Sequence, residues 1–441
     1  MTTTPSGRQA RRAAFASMIG STIEYYDFFV YGSAASLAFN KLFFPTADPA
    51  IGVLLSLSTF AVAFVMRPVG AAIFGHFGDR LGRKRTLFVT ITLMGVGTTA
   101  IGVLPTYQQI GLAAPILLVL ARLVQGLALG GEQGGAWVLS IESTHAGRRG
   151  LSGAFVNSGS AWGLLLSNLV LLALSQLPDD AFLSWGWRIP FLLSATLIAV
   201  GVYVRLKLEE SPEFVQVERT SAVRRAPLVD AVRTSWRQMI LVALGALGLG
   251  ANFYVASVFS LSYSTSSLHL PHSTVPTIIL IMTVIVIFAM PLFGALSDRI
   301  GRKPVFLASA AAFVVSPFVW FLLFQTRNYG LMLLGFLFVF LTYAASFATF
   351  PAFFSLAFPT NVRYTGAAVS VNIGAALGGS LAPLLSAALF EATGSWVSIA
   401  IYISAVSALS VIAGIFLREL PDPAPAPVPS ARPAAAHPGE R

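Results

Sequence analysis

Gly75 to Lys84 reads GHFGDRLGRK, and Gly294 to Lys303 reads GALSDRIGRK. The two stretches agree at the Gly, Asp, Arg, Gly, Arg and Lys positions, and each follows a long apolar run, residues 53–74 and 273–296. A polar decapeptide that recurs at the same place after two apolar runs marks a duplicated unit, an architecture built from two similar halves. Each stretch joins two predicted helices across a tight turn, which accounts for Gly82 and Gly301.

Outward from these loops, further apolar runs fall at 15–39, 87–105, 115–141, 150–177, 188–207, 238–262, 305–325, 330–358, 364–390 and 396–418. With the two already named they make twelve, each long enough to cross a hydrocarbon layer of roughly 30 Å as a helix. The composition agrees: 56% hydrophobic and only 10% charged over 441 residues, outside the range of soluble domains. The expected fold is an all-α membrane protein of twelve transmembrane helices in two pseudo-symmetric six-helix bundles. Alternating strands of about ten residues are absent, which argues against an outer-membrane barrel. The halves are 15–207 and 238–418, joined by a polar linker at 208–237, with an N-terminal segment 1–14 and a disordered Pro/Ala-rich tail at 419–441.

The net charge of +10 marks topology and not nucleic acid. Of 28 Lys and Arg, only Lys41, Arg188 and Arg327 fall in loops opposite the repeated motif, and Arg67 and Arg122 fall within apolar runs, leaving 23 on one side. That bias places both termini in the cytoplasm. No cysteine occurs, and the five histidines fall in loops or the tail, so no intramembrane metal site and no cofactor is expected. The basic start is followed by a run carrying two carboxylates and no small-residue cleavage site, so it reads as a retained first helix.

In the repeated loops, Asp79, Arg80 and Arg83, with Asp298, Arg299 and Arg302, are candidates for a gate latch: basic residues hold the face to the headgroups, and the aspartates can pair with arginines or with a neighbouring helix N-terminus. Glu132, near the same end of the fourth run, is assigned to gating as well.

The first run contains IEYYDFFVYG, Ile23 to Gly32, with Glu24 and Asp27 inside it. Charge at that depth costs about 2.5 kcal/mol or more and demands a partner. Asp27 lies roughly 19 Å above the edge of its run, and Arg122 in the antiparallel fourth run lies roughly 11 Å below the opposite edge, so the two meet at one level. Glu24 and Tyr31 share the face of Asp27, and Gln125 extends the stripe of Arg122. Two readings stand: a permanent ion pair that fixes packing, or a site where Asp27 takes a proton and frees Arg122 to bind a carboxylate with its planar fork. Glu24 is the alternative proton carrier. The second half has only neutral deep polar groups, Asn252, Tyr254, Ser257, Tyr343 and Asn372, which with Asn157, Trp162 and Asn168 are candidate substrate contacts or interhelical packing groups.

The paired GxxxDRxGRK loops and RLVQG in the fourth run resemble the major facilitator superfamily. EYYDFFVYG, RPVGAAIFGHFGDRLGRKR, GGEQGG, SWGWRIPFLLS and FPTNVRYTG are similar to the metabolite:proton symporter family of bacterial inner membranes, over nearly all of residues 13–418. The resemblance implies proton-coupled import of a small metabolite by alternating access, in a protein that functions as a monomer. Span five lacks the Gly-Pro signature of drug antiporters, in keeping with import. An organic acid is the expected substrate. An osmolyte of the proline or betaine type is the alternative, and a non-transporting metabolite receptor on the same fold is the alternative of a different class. No nucleophile elbow or phosphate loop points to an enzyme.

Overall fold

A computed structural model describes residues 7–45, 49–174, 176–219, 225–271 and 273–420. The expected Pro/Ala tail lies, from residue 421 on, outside the described residues. Twelve long helices form two bundles. The first contains α1 (Gly7–Ala34), α2 (Pro49–Leu81), α3 (Arg83–Val103), α4 (Ala113–Glu142), α5 (Arg149–Leu174) and α6 (Ile189–Leu206). The second contains α7 (Pro227–Tyr254), α8 (Thr274–Ile300), α9 (Arg302–Gln325), α10 (Tyr329–Ser355), α11 (Arg363–Ala375) and α12 (Trp396–Phe416). By length and apolarity α3 to α12 are each able to cross a membrane, α7 and α11 together with the helical turns that continue them to Ser266 and Thr393. Helices α1 and α2, of 28 and 33 residues, complete the set.

The helices reach beyond the apolar runs at the face that carries the repeated loops, here termed the basic face. Helix α1 starts at Gly7, ahead of its apolar run, and α7 starts at Pro227 with a kink at Ser235, so Pro227 to Arg237 of the predicted linker is helical. Hydropathy registers the lipid-buried length and is blind to a polar helical extension, which accounts for the difference. The linker also holds a short amphipathic helix, Pro212–Arg219.

Gly82 and Gly301 take φ of 107° and 98°, the region that disfavours a side chain, and each turns the chain between two helices that would otherwise run on. Three spans widen into π-helical turns on the side opposite the basic face: Ala35–Phe39 after α1, Val255–Phe259 after α7 and Ala376–Ser380 after α11.

Within the first bundle α1 packs on α5, α2 on α4, and α3 on α4 and α6; in the second, α7 packs on α11 and α12, and α9 on α10 and α12. The bundles meet where α5 lies against α8 and α10, and α11 lies against α2 and α4. Small residues permit this closeness: a Cβ on Gly294 of α8 would collide with Ala154 of α5. The second bundle has a core rich in phenylalanine, with Phe306, Phe350, Phe353 and Phe354 in mutual ring contact.

Candidate functional site

Asp27 is 3% exposed and Arg122 1%, yet they form no ion pair. Asp27 accepts hydrogen bonds from Thr98 Oγ1 (2.7 Å) of α3 and from Ser194 Oγ of α6. Gln125 Nε2 donates to Thr98 Oγ1 (2.7 Å), and Arg122 Nη1 donates to Gln125 Oε1 (2.8 Å). The acid and the guanidinium are therefore the two ends of one chain: Asp27, Thr98, Gln125, Arg122. The expected direct pair is corrected here. Depth arithmetic fixed their common level but not the azimuth, and Asp27 points between α3 and α6.

Each hydroxyl on Asp27 has a second acceptor, the Met94 carbonyl at 3.0 Å for Thr98 and the Pro190 carbonyl at 3.3 Å for Ser194. The site is satisfied with Asp27 ionised, when both hydroxyls donate to it, and with Asp27 protonated, when a hydroxyl turns to its carbonyl and accepts. The far end is covered by Tyr31, whose ring centroid lies 3.7 Å from the Arg122 guanidinium carbon, while Tyr31 donates to Thr59 Oγ1 (2.5 Å), whose own proton goes to the Ser56 carbonyl. Arg122 Nε also donates to the Thr59 carbonyl at 3.4 Å.

Glu24 follows a different course. One turn before Asp27, it points to α2 and pairs with Arg67 at 3.2 Å. The Arg67 guanidinium lies 5.5 Å from the Phe28 ring and 5.3 Å from the Phe64 ring. The single polar face expected of Glu24, Asp27 and Tyr31 is thus shared among three neighbours. Glu132 does not lie at the repeated loop. It pairs with Arg205 of α6 and accepts from Thr90 Oγ1 (2.6 Å) of α3, so its partners all belong to the first bundle.

Between the bundles, Tyr25, Phe29, Ser160, Phe253, Phe340 and Tyr343 line a narrow, half-open pocket with room for little more than a water molecule. Tyr343 stacks on Phe253 with centroids 4.5 Å apart. Tyr254 reaches across the interface to within 6.1 Å of the Phe64 ring. The other neutral candidates are engaged elsewhere. Asn157 accepts from Trp137 Nε1 (2.6 Å) and donates to the Phe347 carbonyl (2.6 Å), tying α5 to α10. Asn372 donates to the carbonyls of Gly130 (3.2 Å) and Ala368 (2.9 Å), tying α11 to α4. Asn252 joins α7 to Ser407 of α12 and Ser316 of α9, inside the second bundle. Trp162 is 38% exposed and stands off the cavity, because Ser160, Ala161 and Leu164 occupy the inward face of α5.

On the basic face the repeated loops reach across the interface. Asp79 accepts the amides of Tyr364 (3.3 Å) and Thr365 (2.9 Å), the second and third residues of α11, and the Thr365 hydroxyl (2.8 Å). Asp298 accepts the amides of Gly150 (2.7 Å) and Leu151 (2.8 Å), the second and third residues of α5. Each aspartate thereby caps a helix of the opposite bundle, where unpaired amides and the helix dipole favour a carboxylate. Arg80 and Arg299 are exposed and take no part in these contacts, because they lie one residue beyond the aspartates on the outer side of each helix.

Arg83 is fully buried and pairs with Asp79 and Glu142, both at 3.2 Å, and donates to the Thr360 carbonyl (2.8 Å) of the other half. Glu142 also pairs with Arg363 at 3.0 Å. Arg302 takes its carboxylate from Glu419 (2.9 Å), beyond α12, and donates to the Ala146 carbonyl (2.8 Å). Here the pseudo-symmetry breaks. Glu142 stands seven residues before Arg149, but the position seven before Arg363 is Leu356. The missing acid comes from the linker: Glu213 pairs with Arg149 at 2.5 Å and with Arg363. Burial pushes the Glu213 carboxyl above its ordinary range, the Glu142 carboxylate adds to that push, and the two arginines oppose it. Burial likewise raises Glu210, which accepts the amides of Arg83 (3.0 Å) and Lys84 (3.1 Å).

Nothing in the sequence alone marked Thr98, Ser194, Arg205, Glu142, Arg149, Glu213 or Arg363 as functional, and Arg67 stood there as a charge within an apolar run, without a role. Arg67 and Arg205 carried a signal, as arginines within or at the end of apolar runs, and the arginines opening α5 and α11 were visible as a second repeat.

The sequence matches the Major Facilitator Superfamily over residues 17–371 and over 242–440. It is 39% identical over 414 residues to the inner membrane metabolite transport protein YhjE of Escherichia coli K12, covering 92% of this chain and 93% of that protein. It is 37% identical over 417 residues to the shikimate transporter of the same organism, covering 93% and 95%. Among solved structures, the proton:xylose symporter XylE bound to 6-bromo-6-deoxy-D-glucose superposes with a TM-score of 0.75 at 17% identity, over 93% of this chain and 96% of that one.

Proposed function

The chain belongs to the Major Facilitator Superfamily, and from that premise we propose that it imports a small organic acid across a bacterial inner membrane by proton symport, both termini facing the cytoplasm. It works by alternating access, as a monomer. The observation that carries this reading is the set of buried charges around the middle of α1: two acids, Glu24 and Asp27, with two arginines, Arg67 and Arg122, beside a Glu132–Arg205 pair that balances itself. The set is neutral as it stands. A proton on either acid leaves one positive charge uncompensated in a low-dielectric interior, and the cheapest remedy is an anion arriving with the proton.

Asp27 is the coupling acid in this scheme, because its hydroxyl partners serve both protonation states. Proton uptake from outside removes the negative end of the chain to Arg122 and loosens α1 from α3, α4 and α6. The substrate occupies the aromatic pocket between the bundles, which widens to admit it. Closure over it is followed by release of the contacts made by Asp79 and Asp298, which opens the basic face. A cyclic carboxylate fits the stacked Phe253 and Tyr343 wall, in keeping with a relative named for shikimate.

The test is lumenal pH in proteoliposomes loaded with a trapped dye, with an ionophore shunting charge, as pools of monocarboxylates, dicarboxylates, cyclic hydroxy acids and betaines are added outside. Lumenal acidification with a carboxylate pool, absent from protein-free vesicles, is the expected result. Uptake of a labelled carboxylate with no proton movement would overturn the symport reading and leave a facilitator.

A further inference from the structure

The two buried arginines are not equivalent. Arg122 is spoken for: Tyr31 covers its face, and Gln125 and the Thr59 carbonyl take its donors. Arg67, 7% exposed, makes a single hydrogen bond among the described residues, from Nη2 to Glu24 Oε1. Among the described residues its remaining donors have no acceptor, although a guanidinium offers five N–H groups in a planar fork. The rings of Phe28 and Phe64 hold that fork in place. From Phe64 an unbroken run of rings leads through Tyr254 and Phe253 to Tyr343 on the cavity wall, and Tyr25, next to Glu24, lines the same cavity.

Glu24 is equally incomplete. It is fully buried, and its Oε2 has no hydrogen-bond partner while Oε1 holds Arg67. A buried carboxylate oxygen without a donor costs free energy while the group is charged. The charged and titratable groups around it are Tyr25 beside it on α1, Arg67 on α2, Glu132 on α4, Arg205 on α6 and Tyr254 on α7, and Glu132 and Arg205 are already paired with each other.

We propose that Arg67 is the anchor for the substrate's carboxylate and that Glu24 is its exchangeable counter-ion: the entering anion takes the open donors of the fork, and Glu24 is released from the pair as it accepts a proton on Oε2. The exchange balances, one carboxylate replacing another on Arg67 and one proton, taken up first by Asp27 and passed one helical turn to Glu24, neutralising the carboxylate displaced. This rests on the reading of the protein as an organic-acid carrier and goes further by naming the anchoring residue, which is not Arg122. The occupant is a small acid with a flat or cyclic body, its carboxylate on Arg67 and its ring on Phe253 and Tyr343.

The experiment is equilibrium binding to the purified full-length protein in nanodiscs, with shikimate, benzoate, fumarate and citrate as probes and the methyl esters of the first two as neutral controls. Wild-type protein should bind at least one acid and not its ester. Arg67→Gln should weaken that binding by tenfold or more, and Arg67→Lys should do so in part. Glu24→Gln, which mimics the protonated acid, should bind at least as tightly as wild type with a flattened pH dependence. The double variant Arg67→Gln/Glu24→Gln leaves no buried charge unpaired and should fold while still failing to bind. Unchanged acid binding in Arg67→Gln, or loss of binding in Arg122→Gln alone, would overturn the assignment and leave the carrier reading standing. No binding of any acid to wild-type protein would overturn both.

Discussion

Asp79 and Asp298 make the same bond in opposite directions: each accepts the amides of the second and third residues of a helix in the other bundle. The duplication of the chain has thus produced a reciprocal clasp, and each half closes the basic face by holding the other's helix end. A carboxylate at such a position contributes about 1 kcal/mol, up to about 2. Asp79→Asn and Asp298→Asn should each move the closed-to-open ratio of this face by roughly tenfold, and the double variant should move it further. The native chain has no cysteine, so a pair introduced on the basic face can be spin-labelled and the distance distribution read directly. An unchanged distribution in the double variant would remove the clasp from the gate.

Repair of the broken symmetry offers a separate check. Glu213→Gln leaves Arg149 without its linker carboxylate, and Leu356→Glu places an acid where the first half has Glu142. The double variant should regain much of the closed population that Glu213→Gln loses. A double variant no better than the single would mean that α10 does not present residue 356 to Arg149.

Coupling can be separated from packing along the chain from Asp27 to Arg122. Asp27→Asn keeps both hydroxyl contacts and should abolish proton-driven accumulation while exchange of preloaded substrate persists. Thr98→Val cuts the link to Gln125 and should reduce coupled uptake by roughly tenfold, since it leaves two buried polar groups short of a partner. Ser194→Ala leaves the link intact and should cost less. Equal effects of Thr98→Val and Ser194→Ala would point to a packing role for both.

The turn glycines should differ in tolerance. Both carry positive φ, for which a side chain costs roughly 1–2 kcal/mol. A Cβ on Gly82 would also strike the Glu210 carboxylate, whereas on Gly301 it meets Pro304 no closer than 3.1 Å. Gly82→Ala should therefore lower thermal stability more than Gly301→Ala, as read by melting in detergent.

The fold was legible because apolar length is a one-dimensional signal: twelve runs, and a decapeptide that returned after the second and the eighth. Depth was legible for the same reason, and it brought Asp27 and Arg122 to one level. Azimuth was not. Which of three neighbours a buried acid faces depends on the rotation of its helix, so Thr98 and Ser194 on Asp27, and Arg67 on Glu24, became visible only in three dimensions. Asn157, Asn252 and Asn372 were legible as deep polar groups, but whether such a group meets a solute or a neighbouring carbonyl is decided by packing. The latch was half legible: its aspartates stood in the motif, while the helix ends they hold lie more than 140 residues away in the chain.

Glu213 belongs to neither repeat, yet it grips an arginine from each. The repeat relates one half to the other and not one face to the opposite face, so the balance between the two faces is set by contacts such as this one. The strap supplied by the linker gives the carrier an idle position, with the basic face shut. If that face looks inward, as proposed, an unloaded carrier is a closed door to protons, and the cell's gradient is drawn upon only when cargo is aboard.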